Sequence, residues 1–67
     1  MKLTVQIKVP EWAKWMAQDE DGKWWFFEAK PFVDVCDSVW VISEGTFQLA
    51  YQDESPINWE LELWELY

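Results

Sequence analysis

The sequence predicts a small, mainly β domain built on an antiparallel sheet of four to five strands, and three observations carry that prediction. Apolar and polar residues alternate near the N-terminus, an acidic turn separates two aromatic-rich runs, and a β-branched run is followed by a second turn. The chain has 67 residues with no repeat, low-complexity tract or linker, so residues 1–67 make one domain.

The N-terminal element comes first. Leu3, Val5, Ile7 and Val9 alternate with Lys2, Thr4, Gln6 and Lys8, the two-residue period of a half-buried strand, and Pro10 ends it by removing a ladder donor.

Residues 13–30 read as a β-hairpin. Asp19, Glu20, Asp21 and Gly22 suit a tight turn that finishes with glycine in the left-handed region. Pairing Asp19 with Lys23 places Gln18 opposite Trp24, Ala17 opposite Trp25, Met16 opposite Phe26, Trp15 opposite Phe27 and Lys14 opposite Glu28. One face, with Trp15, Ala17, Trp25 and Phe27, suits a core. The other carries Lys14, Met16, Gln18, Trp24, Phe26 and Glu28 and reads as half exposed, with an oppositely charged cross-strand pair.

Pro31 ends the hairpin, and Asp34 and Asp37 mark a loop before the strand-forming run at residues 39–42. Ser43, Glu44, Gly45 and Thr46 form a turn, so residues 47–51 are expected to return as the partner of that run. The tail, residues 57–67, admits two readings. Trp59, Leu61 and Leu63 alternate with Glu60 and Glu62 as in a strand, whereas Ser55 and Pro56 resemble a helix start that would put Trp59, Leu63 and Leu66 on one helical face. A short C-terminal helix is the favoured of the two.

Several kinds of chemistry lack their residues. The chain has no histidine and one cysteine, Cys36, so no disulfide, zinc site or histidine-assisted nucleophile can be assembled, and Cys36 reads as a small hydrophobe. Asp19, Asp21, Gly22 and Glu28 match part of a calcium-loop spacing, but Ala17 occupies its first ligand position and the flanks read as strands. Gly22 and Gly45 are the only glycines, too few for a phosphate cradle. The expectation is a protein that is not an enzyme and uses no cofactor or metal.

Thirteen acidic residues face five lysines and no arginine, for a net charge of −8. That balance repels nucleic acid and anionic lipid and points to a basic or neutral protein partner. No apolar run is long enough to span a bilayer and no secretory leader is evident, which predicts a cytoplasmic protein. The seven Trp, four Phe and two Tyr exceed what so small a domain readily hides, so a homodimer is expected.

Two features are candidates for partner binding. Met16, Trp24 and Phe26, on the mixed face of the hairpin, serve either as a second core layer or as an aromatic interface patch. Clustered acids provide charge: Asp19, Glu20 and Asp21 at the hairpin tip, Asp53 and Glu54 in a loop, and Glu60, Glu62 and Glu65 in the tail. In a strand, Glu60 and Glu62 would stand about 6–7 Å apart on one side, imitating successive phosphates; the alternative role for the acid is solubility.

The run V-P-E-W-A-K-W-M-A-Q-D-E-D-G-K-W-W-F-F-E-A-K-P, residues 9–31, resembles a pattern in small acidic proteins of tailed bacteriophages and prophages. They share the Pro-x-Trp-Ala opening, the acidic Asp-x-Asp-Gly turn and the Glu-x-Lys-Pro close. Asn58 followed by Trp59 also fits, although Glu60, Leu61 and Glu62 depart from the Arg and Ser-Leu usual there. The resemblance implies a phage origin and carries over no catalytic residue. Residues 18–30 are also similar to phage inhibitors of uracil-DNA glycosylase, which are acidic, β-rich DNA mimics. The function these readings imply is inhibition or modulation of a host protein, with imitation of DNA charge as its mechanism. A virion-associated structural module is the alternative, with a sugar-binding module stacking rings on Trp24 as a third class.

Overall fold

The computed structural model describes residues 8–66, and they form a mainly β structure of two antiparallel sheets. Strands β1 (Trp15–Gln18), β2 (Lys23–Phe27), β5 (Phe47–Gln52) and β6 (Leu63–Glu65) make a four-stranded sheet in the order β5-β2-β1-β6. Strands β3 (Phe32–Asp34) and β4 (Val39–Val41) form a separate hairpin. The fold class expected from the sequence is the one found, with six short strands in place of four or five.

The β1–β2 hairpin has the expected register: Trp15 lies opposite Phe27, Met16 opposite Phe26, Ala17 opposite Trp25 and Gln18 opposite Trp24. The Asp19 N–H donates to the Lys23 carbonyl at 2.9 Å, and Gly22 takes φ +94°, which a residue with a Cβ rarely adopts. The pairing stops at Trp15. The Lys14 N–H donates to Phe27, and the Glu28 carboxylate accepts the Thr46 N–H at 2.8 Å, so the expected Lys14–Glu28 charge pair does not form.

Both faces of this sheet are covered, which corrects the expectation of one half-exposed face. Met16, Trp24 and Phe26 cluster with Ala13 beneath Trp12, Ala50, Tyr51 and Leu66, and Trp24 is fully buried at 0% exposure. On the opposite face Ala17 and Phe27 pack with Trp40 of β4 and Trp59, flanked by Trp15, Trp25, Val33, Ile42 and Leu63. The alternation of side chains across a strand thus serves two apolar layers. The indole N–H groups of Trp24 and Trp25 are buried without an acceptor among the described residues, a cost that aromatic burial must offset.

Two further expectations need correction. The turn at residues 43–46 does not return β5 onto β4; β5 joins β2, and β4 pairs with β3, an element the Asp34 signal concealed. Turn chemistry marks where a chain reverses, whereas burial of Ala50 and Tyr51 against the cluster of Ala13, Met16, Trp24 and Phe26 selects the neighbour. The C-terminal helix is replaced by a single 3₁₀ turn, Trp59–Leu61, with no side-chain cap, followed by β6 on the free edge of β1. There Gln18 N–H donates to Glu62 and Leu66 N–H to Lys14, at 3.0 and 2.9 Å, bonds that a short helix would forgo. The N-terminal strand expected at residues 3–9 lies largely outside the described residues, and Lys8 and Val9, its described end, are not in a strand.

Candidate functional site

Four polar connections draw the acidic segments to one end of the sheet. The Gln18 side-chain amide, buried beneath the turn, donates from Nε2 to the Gly22 carbonyl at 3.0 Å and to the Glu54 carbonyl at 2.9 Å. The Asp53 N–H donates to Gly22 at 3.0 Å, and Gln52 Nε2 donates to Asp21 at 2.8 Å. These bonds dock the loop after β5 on the tip of the β1–β2 hairpin, although the two are about thirty residues apart in the chain.

Two more segments arrive at the same tip through Trp40. Its backbone N–H donates to Asp19 Oδ1 at 2.8 Å, and its indole Nε1 donates to the Gln18 carbonyl at 3.0 Å and, more weakly, to the Trp59 carbonyl at 3.3 Å. Its ring stands edge-on to Trp59, with centroids 6.3 Å apart and planes at 89°. The β3–β4 turn, carrying Asp34 and Asp37, and the 3₁₀ segment, carrying Glu60 and Glu62, therefore join Asp19, Glu20, Asp21, Asp53 and Glu54. These segments hold nine of the chain's thirteen acids, and Lys23 is the one lysine among them. It pairs with Asp21 at 3.7 Å across exposed side chains, a contact worth little in water.

The acids proposed as binding residues occupy different environments. Glu20, Asp21 and Glu60 are exposed and Glu62 is half-buried. Asp19 is only 5% exposed and is committed to Trp40. Burial pushes its carboxyl pKa up and the Asp21 charge adds to that, while the Trp40 N–H and Lys23 pull it down. Glu60 lies within the 3₁₀ turn and Glu62 just after it, so the regular two-residue spacing of a phosphate ladder is absent. Asp53 and Glu54, which the sequence placed in the same acidic group, and Asp37, which it did not, are exposed members of the same end.

The apolar residues proposed as an interface are core. Met16, Trp24 and Phe26 are 4% exposed or less, so none can touch a partner in this fold, and Trp24 cannot stack on a sugar ring. The exposed apolar side chains lie elsewhere. Ile57 and Leu61, 98% and 76% exposed, border Glu60 at the acidic end, while Phe47 and Leu49 stand on β5. An amphipathic surface is legible from sequence only once it is known which Trp and Phe are buried, and no local signal set Leu61 apart from Leu63.

The arrangement offers hydrogen-bond acceptors and charge. The partial calcium-loop match does not assemble: Asp19 is held by Trp40 and Glu28 by Thr46, and no group of three or more metal-ligating side chains gathers among the described residues. Likewise no described helix is long and apolar enough to cross a membrane. Compared with protein-family models, with curated proteins and with solved structures, the chain matches none.

Proposed function

We propose that this protein binds a basic protein of its host cell through the acidic end of the sheet and inhibits or modulates it. The carboxylates stand where the partner's groove would otherwise meet nucleic-acid phosphate. The observation that carries the reading is the gathering of nine acids, contributed by four separate segments, around one lysine. Solubility alone calls for dispersed charge of both signs. The resemblance of residues 9–31 to phage proteins supports a phage-encoded protein acting in a bacterial cytoplasm.

Ile57 and Leu61 take the anchoring role first considered for Met16, Trp24 and Phe26, because they are exposed beside the acid. Rim charge speeds encounter, and desolvated apolar contacts slow release. The test captures proteins of a bacterial extract on the tagged chain. Binding should be lost at high salt, displaced by duplex DNA and abolished by combined Glu20→Gln, Asp21→Asn, Asp53→Asn and Glu54→Gln substitution. Capture that is equal with this variant, or unaffected by salt and DNA, would refute charge imitation. The structural-module reading, which the exposed Phe47 and Leu49 favour, would then lead.

A further inference from the structure

Strand β5 is an outer strand of the four-stranded sheet and has no second neighbour among the described residues. It falls within residues 45–52, the longest run of the sequence without a charged residue. Proteins usually guard a strand edge with charge, proline or short length. The opposite edge is guarded in that way: β6 has three residues, ends in exposed Glu65 and follows Glu62. On β5, Phe47 and Leu49 are instead 58% and 46% exposed, and the only protective irregularity is the bulge where Leu49 and Tyr51 take adjacent partners on β2.

We propose that this edge pairs with a second copy of the chain, antiparallel, about a two-fold axis at Gln48. Backbone geometry selects the register. The Thr46 carbonyl accepts the Glu28 N–H, so it faces inward to β2. Successive residues of a strand point their main-chain groups to alternate sides, which directs Gln48 inward and Phe47 and Leu49 outward. An axis at Gln48 sets Phe47 opposite Leu49 of the other copy, aligns their outward N–H and C=O groups, and brings the exposed side chains together on one face. The bulge at Ala50 confines the seam to this segment.

Charge selects the same arrangement. About Gln48, Glu44 meets Gln52 and Asp53 meets Ser43 of the other copy, so no acid faces an acid, whereas an axis one residue later would set Glu44 against Glu54. Because β5 runs toward the acidic end, antiparallel pairing also places the two acidic ends at opposite extremities, where repulsion between copies is most screened. Both remain free, so this inference stands independently of the proposed function.

The test combines sedimentation with register-specific cross-linking. The parent chain should sediment at twice 8.1 kDa at high micromolar concentration, and Leu49→Lys should return it to the monomer while keeping its near-ultraviolet circular dichroism. In a Cys36→Ser background, Gln48→Cys should oxidise readily to a covalent dimer, since residues facing across a non-hydrogen-bonded antiparallel pair have Cα atoms about 4.5 Å apart. Gln52→Cys should not. A parent that remains at 8.1 kDa, a dimer that survives Leu49→Lys, or cross-linking as efficient at Gln52 as at Gln48 would each overturn the proposal. Should Leu49→Lys fail to fold, the cross-linking comparison decides.

Discussion

The Asp19 carboxylate accepts the backbone N–H of Trp40 at 2.8 Å, a buried bond that ties the β1–β2 turn to the β3–β4 hairpin. Asp19→Ala would leave that N–H without a partner and should cost about 1–3 kcal/mol in chemical denaturation. Asp19→Asn keeps an oxygen acceptor and removes the buried charge, so it should be far milder.

The burial of the same carboxylate fixes a pH dependence. Burial raises the Asp19 pKa above 3.8, so between that value and the folded-state pKa the folded chain holds a proton that the unfolded chain has released. The Asp19 contribution to stability therefore falls as pH rises through this window and is level on either side of it. Relative to the parent, Asp19→Asn should gain stability from pH 3 toward neutrality. A relative loss over that range would contradict the burial argument.

Trp40→Phe retains a ring against Trp59 but deletes the indole donor, leaving the Gln18 and Trp59 carbonyls short of a bond. A loss of about 1–2 kcal/mol is expected, measurable as a lower urea midpoint.

Two glycines with nearly equal φ angles should respond unequally to alanine. At Gly22 (φ +94°) an added Cβ would collide with the Asp53 backbone carbonyl, whereas at Gly45 (φ +97°) it would meet the Glu28 carboxylate at 3.0 Å, a side-chain end that can shift at the expense of its bond to the Thr46 N–H. Gly45→Ala should cost about 1–2 kcal/mol from backbone conformation alone, and Gly22→Ala clearly more, because the docked loop must also be displaced. Thermal melts of the two variants check the order.

Trp24→Ala should act on folding and not on partner release. Truncating a fully buried aromatic commonly costs about 3–5 kcal/mol, close to the whole stability of a domain this size. Loss of the cooperative unfolding transition is the expected outcome. A folded variant with an altered rate of partner release would restore Trp24 to an interface.

Local chemistry made part of this protein legible. The turn at Asp19, Glu20, Asp21 and Gly22 determined its hairpin register, because the glycine and the following lysine leave one pairing and the side-chain period is two. The tail shows where such reasoning stops: its alternation fitted both a strand and a helix, and the free edge of β1 made Leu63–Glu65 a strand. For Met16, Trp24 and Phe26 the sequence left core and interface both open, since a strand pattern cannot reveal whether its second face is covered.

By itself, then, the sequence determined the antiparallel β class, the β1–β2 register, the surplus of acid and the exclusion of histidine and disulfide chemistry, all of which follow from residue identity and short spacings. The tertiary structure alone decided that β5 joins β2, that both hairpin faces are buried, and that acids from four separated segments meet at one end while Asp19 withdraws from them. Those outcomes depend on contacts between residues distant in the chain, such as Gln18 with Glu54 and Asp19 with Trp40. Competition among apolar surfaces for burial fixes such contacts, and no local spacing encodes it.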